Sequence, residues 1–188
     1  MKYYIMKAYD TTGSDFIFLE NDSIDDDLRK ACCNSQFQYV DKNLKLLKLS
    51  EESGNELPDF IYDELNEVPL ISCRLKRLFD ELDIRSLFYQ RLRLESKANH
   101  VSESYWLAIP MKIDCLDYDA SDIDEIEVPD SDEILKEASK IVINPENVGN
   151  YEIFKLANVV NSQIIVTENL KNAVEQAGLT AGFGFFDI

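Results

Sequence analysis

Short runs in which apolar residues alternate with polar ones, or stand together, recur along the chain and predict β-strands. Residues 3–8 carry apolar side chains on both faces, which is typical of a strand inside a sheet. Further strands are predicted at residues 16–19, 44–49, 68–72, 87–94, 105–113, 141–143, 151–156, 164–166 and 183–186. The chain is therefore predicted to contain more strand than helix.

Two segments, residues 72–83 and 167–177, have the apolar spacing of amphipathic helices. Each begins at a hydroxyl residue suited to an N-cap, Ser72 or Thr167, and Gly178 is placed to end the second helix in a left-handed conformation. The apolar stripes are Leu75, Leu78, Phe79 and Leu82 in the first helix, and Leu170, Ala173, Val174 and Ala177 in the second. These patterns predict an α+β fold, in which two principal amphipathic helices pack on a mainly antiparallel sheet.

The two helical segments resemble each other when the chain is shifted by 95 positions. Residues 165–167 then match residues 70–72, and the apolar helix positions coincide. Both copies are predicted to be strand, hydroxyl N-cap, amphipathic helix and strand. Two pseudo-repeated strand–helix–strand units explain this match, and generic amphipathic patterning explains it equally well.

Composition and charge exclude several classes of partner. The 188 residues, predicted to form a single domain over 1–188, include 36 acids and 19 bases, for a formal net charge of −17. That sign opposes direct binding to nucleic acid or to anionic membranes. The N-terminus lacks the apolar region of a signal peptide, and no run approaches the roughly 18 apolar residues of a membrane span. A cytoplasmic protein is therefore expected.

The sequence offers little catalytic or metal-binding chemistry. His100 is the only histidine, and the four cysteines contain no C-x-x-C pair, so we expect reduced thiols, no metal and no cofactor. A calcium loop that begins at Asp117 fails, because it has Asp122 where the turn needs glycine and Val128 where the bidentate glutamate belongs. No catalytic residue is predicted. The aromatic residues Tyr105, Trp106, Phe183, Phe185 and Phe186 are expected in the core.

Three segments together resemble a known family. They are residues 69–82, residues 105–121 with a Tyr-Trp strand that runs into Leu-Asp, and residues 153–156 followed by 164–180 and an aromatic end. In this order they are similar to a family of bacterial immunity proteins from polymorphic-toxin loci, the one numbered eleven. One departure is Ala181, which precedes Gly182 where the family usually has glycine directly after Leu-Thr. The resemblance implies a non-enzymatic cytoplasmic protein that binds and neutralises a toxin.

Acidic residues cluster where such a partner could bind. Residues 15–27, 51–67 and 114–133 contain six, seven and ten acids and no lysine or arginine. Many toxins of such systems attack nucleic acids through basic clefts, which an acidic surface complements. The candidate partner-binding residues come from the densest stretch: Asp114, Asp117, Asp119, Asp122, Asp124, Glu125 and Glu127. The alternatives are an acidic adaptor or nucleic-acid mimic for another basic partner, a carboxylate-dependent hydrolase, and a merely solvated acidic loop.

Overall fold

A computed structural model describes residues 1–9, 26–34, 47–48, 56–61, 68–96, 101–127, 134–160 and 162–188. The helices are α1 (Asp26–Asn34), α2 (Cys73–Glu81), α3 (Pro145–Val148) and α4 (Glu168–Gln176). The strands are β1 (Tyr3–Ala8), β2 (Leu47–Lys48), β3 (Phe60–Ile61), β4 (Leu70–Ser72), β5 (Leu87–Ser96), β6 (Val101–Pro110), β7 (Lys112–Ile113), β8 (Asp122–Glu127), β9 (Ile134–Lys140), β10 (Ile153–Leu156), β11 (Ile164–Thr167) and β12 (Phe183–Asp187).

The strands form two five-stranded sheets and a separate hairpin. Sheet A has the order β12-β1-β11-β10-β7, sheet B has the order β2-β5-β6-β4-β3, and β8 pairs with β9. All pairings are antiparallel except β10 with β7 and β2 with β5. The predicted α+β fold with mainly antiparallel sheets is confirmed.

Local sequence explains where the two principal helices begin and which side they bury. Ser72 and Thr167 are the N-caps, and their hydroxyl oxygens accept hydrogen bonds from the amides of Leu75 and Leu170 at 3.1 and 3.4 Å. In each helix two stripe residues are buried: Leu75 and Phe79 in α2, and Leu170 and Val174 in α4. The positions of both helices match the prediction. Leu82 and Ala177, which were predicted in the buried stripes, are exposed instead, because each is the C-cap residue that follows the last turn of its helix.

The match between the two segments extends to their backbone hydrogen bonds. After α2, Asp83 has φ 55°, and after α4, Gly178 has φ 65°, so both helices end through a left-handed residue. The next amides then donate to equivalent carbonyl oxygens, Ile84 to Phe79 at 2.9 Å and Leu179 to Val174 at 3.2 Å. The two segments thus share an N-cap, an amphipathic helix and the hydrogen bonds that end it, 95 residues apart, and we describe them as a structural repeat.

The repeat also includes the neighbouring strands. In sheet B, Ile71 of β4 lies between Phe60 of β3 and Trp106 of β6, and β5 follows on the far side of β6. In sheet A, Val166 of β11 lies between Ile153 of β10 and Tyr4 of β1, and β12 follows on the far side of β1. We call β3, β4, α2, β5 and β6 unit 1, and β10, β11, α4, β12 and β1 unit 2. The N-terminal strand β1 thus occupies in unit 2 the place of β6 in unit 1.

Three apolar clusters lie on the faces of these sheets. The central cluster joins both units and includes Phe60, Leu75, Phe79, Val166, Leu170, Val174 and Phe183. Outer cluster B covers the other face of sheet B and includes Leu28, Cys32, Leu92, Leu107 and Ile109. Outer cluster A covers part of the other face of sheet A and includes Cys115, Leu116, Val148, Phe154 and Ile165. In the described part of the chain, sheet B is therefore packed on both faces, and sheet A on one face and part of the other.

Several sequence predictions differ from the structure. Helix α1 was not predicted; among its described side chains, Leu28 and Cys32 are buried. The strand expected at residues 141–143 is wrong, since the strand here is β9 and Ile143 forms only an isolated bridge with Leu116. The strand expected over 105–113 is divided at Met111 into β6 and β7. The strand predicted at 16–19, most of that at 44–49, and His100 lie outside the described residues.

Candidate functional site

The acidic candidates form a turn followed by the β8–β9 hairpin. Between β7 and β8 the chain folds back at Asp117, whose Oδ1 accepts hydrogen bonds from the amides of Asp119 and Ala120 at 3.2 and 3.1 Å. The amide of Ser121 donates to the carbonyl oxygen of Asp117 at 3.0 Å. An aspartate side chain that binds amides two and three residues ahead fixes the turn without help from another segment. Asp117 therefore shapes the acidic segment as well as charging it.

This segment is attached to the body of the protein by buried neighbours. Cys115 and Leu116 belong to outer cluster A, and burial raises the pKa of the Cys115 thiol to about 12. Asp117 donates its amide to the carbonyl oxygen of Val142 at 2.8 Å, and Ser121 Oγ accepts from the Val142 amide at 2.9 Å. The acidic turn is thus held at a defined position on the outer face of sheet A.

Tyr118 connects the turn to the hairpin. Its hydroxyl donates to Asp114 Oδ1 at 3.0 Å, and the Lys136 ammonium of β9 lies 4.8 Å from the centre of its ring. Burial, together with the carboxylate of Asp114, raises the pKa of the Tyr118 phenol. Asp114 is therefore oriented by a hydrogen bond although it is exposed.

The carboxylates themselves face solvent. Asp114, Asp119, Asp122, Asp124 and Glu125 are exposed, and Asp117 is half-buried. Glu127 ends β8 opposite Ile134, and its side chain lies outside the described set. Among the described residues, these six side chains form no ion pair, which leaves their charge available to a partner.

The opposite strand carries charge that the sequence analysis missed. In the β8–β9 ladder, Asp122 lies opposite Lys140, Glu125 opposite Lys136, and Asp124 opposite Glu137. Cross-strand neighbours are close enough to interact, so the two lysines offset part of the acidity and Glu137 extends it. In the sequence, β9 was indicated only by a weak alternation of apolar and polar residues over 134–140. The surface is therefore acidic but less uniform than the base-free stretch suggested.

One carboxylate of the other two acidic stretches has a structural role in the described part of the chain. Asp59, within residues 51–67, is fully buried, and its Oδ1 accepts hydrogen bonds from Ser72 Oγ at 2.7 Å and from Arg74 Nη2 at 3.0 Å. In unit 2, Glu152 accepts a hydrogen bond from the Thr167 hydroxyl in the same way. These carboxylates support the N-caps of α2 and α4. Most of residues 15–27 lies outside the described residues. Asp26 is described, and its side chain is exposed.

The aromatic residues divide between core and surface. Tyr105 and Phe183 are buried, as predicted, and Trp106 and Phe185 are half-buried against the central cluster. The prediction is wrong for Phe186, which is 46% exposed, because alternation along β12 turns it away from the central cluster.

Within the described ranges, no group of three or more histidine, cysteine or acidic side chains is arranged to hold a metal ion. In the same part of the chain, no helix combines the length and the apolar character needed to cross a membrane.

Comparison with known families gives a match that covers nearly the whole chain. The sequence profile of the immunity protein family (Imm11) matches residues 6–188, including both units and the acidic hairpin. The chain belongs to the Imm11 immunity protein family. Membership in Imm11 implies a toxin-neutralising immunity function, as the resemblance indicated. No curated protein matches this Imm11 chain.

Proposed function

We propose that this Imm11 protein is a non-enzymatic inhibitor, which acts in the cytoplasm by binding a basic cognate toxin domain through its acidic surface. The acidic surface consists of Asp114, Asp117, Asp119, Asp122, Asp124, Glu125 and Glu127. The observation that supports it most is the exposure of five of these carboxylates on a turn and hairpin anchored to outer cluster A: Asp114, Asp119, Asp122, Asp124 and Glu125. Anchoring lowers the entropy lost on binding, because the charged groups are already positioned.

The charge of the acidic surface acts mainly before contact. Exposed charges interact over about 10 Å at 0.1 M salt, so they accelerate the approach of a basic partner and orient it. Once docked, carboxylates that lose water against lysine or arginine add affinity only where their geometry is good. Asp114, held by Tyr118, and Asp117, held by the turn, are the two best positioned for such contacts.

The geometry does not favour the hydrolase alternative. In the described part of the chain, the acidic surface lies on an exposed turn and hairpin, whereas paired catalytic carboxylates work in a concave site. An acidic adaptor for another basic partner would use the same surface. Such an adaptor would differ from an immunity protein in the protein that it binds, and not in the geometry of the acidic surface.

The test compares two sets of four substitutions. The surface variant carries Asp119→Asn, Asp122→Asn, Asp124→Asn and Glu125→Gln, and retains Asp117 because it forms the turn. The control variant carries Asp26→Asn, Glu56→Gln, Glu81→Gln and Glu146→Gln, all of which are exposed elsewhere. Each variant reduces the net charge of −17 by four charges, so only the position of the change differs.

The measurement is association with the purified toxin domain encoded by the neighbouring gene, followed at several salt concentrations. We expect the surface variant to associate about tenfold more slowly, with a weaker dependence on salt, because steering charges have been removed. The control variant should stay close to the wild type. Equal rates for surface variant and wild type, or equal slowing in both variants, would show that this acidic surface is not the contact.

A further inference from the structure

The outer edge of β12 has no partner strand within the described part of the chain, where β12 pairs with β1 alone. The amide of Tyr9 donates to the carbonyl oxygen of Gly182 at 3.0 Å, which fixes the alternation of hydrogen-bonded pairs between these strands. Gly184 and Phe186 therefore direct their amides and carbonyls towards β1, and Phe185 and Asp187 direct theirs away from it. Such outward backbone groups can accept another strand.

A groove of about 280 Å³ runs beside this edge. It is lined by Tyr9, Glu175, Thr180, Phe183, Gly184, Phe185 and Phe186. A Cβ on Gly184 would lie 2.8 Å from the hydroxyl oxygen of Tyr9, so glycine lets the Tyr9 ring pack directly on the strand. The groove thus provides aromatic walls beside accessible backbone.

Two of these residues, Tyr9 and Phe186, form an apolar patch on the outer face of sheet A. The register pairs Ile5 with Ile165 on one side and with Phe186 on the other, so Phe186 shares a face with outer cluster A. Tyr9 is 49% and Phe186 46% exposed. The patch therefore adjoins the face on which the acidic segment is anchored.

In unit 1, the equivalent face of the sheet is covered by a helix. There Leu107 and Ile109 of β6, which correspond to Ile5 and Lys7 of β1, are buried in a cluster with Leu28 and Cys32 of α1. In unit 2 this part of the face keeps exposed aromatic side chains. The repeat thus identifies a surface that α1 covers in unit 1 and that no described segment covers in unit 2.

We propose that the edge of β12 receives an extended segment of the cognate toxin as an additional strand, with alternating apolar and basic side chains. This inference rests on the proposed function. Apolar side chains of that segment would contact Tyr9 and Phe186, and a basic one, on the other face, would approach Asp187, since Glu175 already pairs with Lys171 at 2.7 Å. A second copy of the protein is the less suitable occupant, because two chains of net charge −17 repel each other.

The first test is amide hydrogen exchange by NMR, in the free protein and in complex with an inactive form of the toxin domain encoded by the neighbouring gene. The Phe185 amide should exchange rapidly in the free protein and at least about tenfold more slowly in the complex. The Gly184 and Phe186 amides, already bonded to β1, should be protected in both states and serve as internal controls. Phe185 amides that stay rapid in the complex, or are slow in the free protein, would overturn the inference.

A second test uses Asp187→Pro with Asp187→Ala as its matched control. Both remove the carboxylate, and only proline removes the outward amide, which is tolerated at a sheet edge. We expect Asp187→Pro to bind the toxin domain at least about tenfold more weakly than Asp187→Ala, because a buried carbonyl of the added strand loses its donor. Equal affinities of the two variants would contradict strand addition.

The two proposals fail in different ways. If the wild type forms no complex with the toxin domain, the proposed function is wrong, and this inference falls with it. If a complex forms while the Phe185 amide stays rapid, only strand addition is wrong. Should Asp187→Pro unfold, exchange in the wild type decides alone.

Discussion

Replacing Gly182 with alanine should destabilise the protein more than the same replacement at Gly178. Both glycines have positive φ, +84° at Gly182 and +65° at Gly178, so alanine strains the backbone at either position. Their surroundings differ. A Cβ on Gly178 would find nothing within 4 Å, whereas a Cβ on Gly182 would lie 2.3 Å from Pro58 Cβ. The comparison therefore isolates the contact with Pro58 from the cost of the backbone conformation.

The left-handed conformation costs a non-glycine residue about 1–2 kcal/mol, and this applies to both variants. Overlap with a packed neighbour adds about 1–3 kcal/mol at Gly182 alone, and the rigid proline ring limits relief. We therefore expect the free energy of unfolding to fall by about 2–5 kcal/mol for Gly182→Ala and by about 1–2 kcal/mol for Gly178→Ala.

The larger loss would also report on how the two units join. Next to Gly182, the Asp59 amide donates to the Ala181 carbonyl oxygen at 2.8 Å, and the rings of Phe60 and Phe183 are 5.3 Å apart. These contacts link β3 of unit 1 to β12 of unit 2. The requirement for glycine thus falls at position 182, after Ala181, which explains how the chain accommodates its departure from the family motif.

The assay is urea unfolding followed by circular dichroism, with both variants compared to the wild type. The slope of free energy against urea should stay the same, because the surface exposed on unfolding does not change. Equal losses in the two variants would refute the predicted approach of Pro58 to the turn. A loss at Gly178 larger than that at Gly182 would refute it more strongly.

Three further predictions concern the core and the cysteines. Phe79→Ala should lower the free energy of unfolding by about 3–5 kcal/mol in urea titrations, and Leu82→Ala, on the exposed side, by no more than about 0.5 kcal/mol; similar losses would contradict the packing of α2. Iodoacetamide at pH 8 should alkylate exposed Cys73, and mass spectrometry should find buried Cys115 unmodified until unfolding. The free energy of unfolding should fall as pH rises from 9 towards 12, because folded Cys115, with its pKa of about 12, keeps a proton that the unfolded thiol releases. In Cys115→Ala the free energy of unfolding should fall less steeply with pH, and an unchanged pH dependence would contradict the raised pKa of Cys115.

The sequence alone determined the two principal helices and their N-caps, and it indicated the internal repeat that the structure then established. These features depend on residues within a few positions of each other: the hydroxyl of Ser72 or Thr167, the apolar spacing that follows, and a residue able to adopt positive φ at the end. Local chemistry of this kind is readable from order along the chain. The acidic stretch at residues 114–127 was likewise visible, and its exposed carboxylates agree with its composition.

Only the tertiary structure decided which segments meet. Periodicity predicts that β1 is a strand, but its place between β11 and β12 brings together residues more than 150 positions apart. The burial of Asp59 within an acidic stretch follows from its bonds to Ser72 and Arg74. The exposure of Phe186 follows from the register of β12 and from the absence, on that face, of a cover like α1 among the described residues. Hydrophobicity sets which residues can be buried, and partners distant in sequence set which of them are.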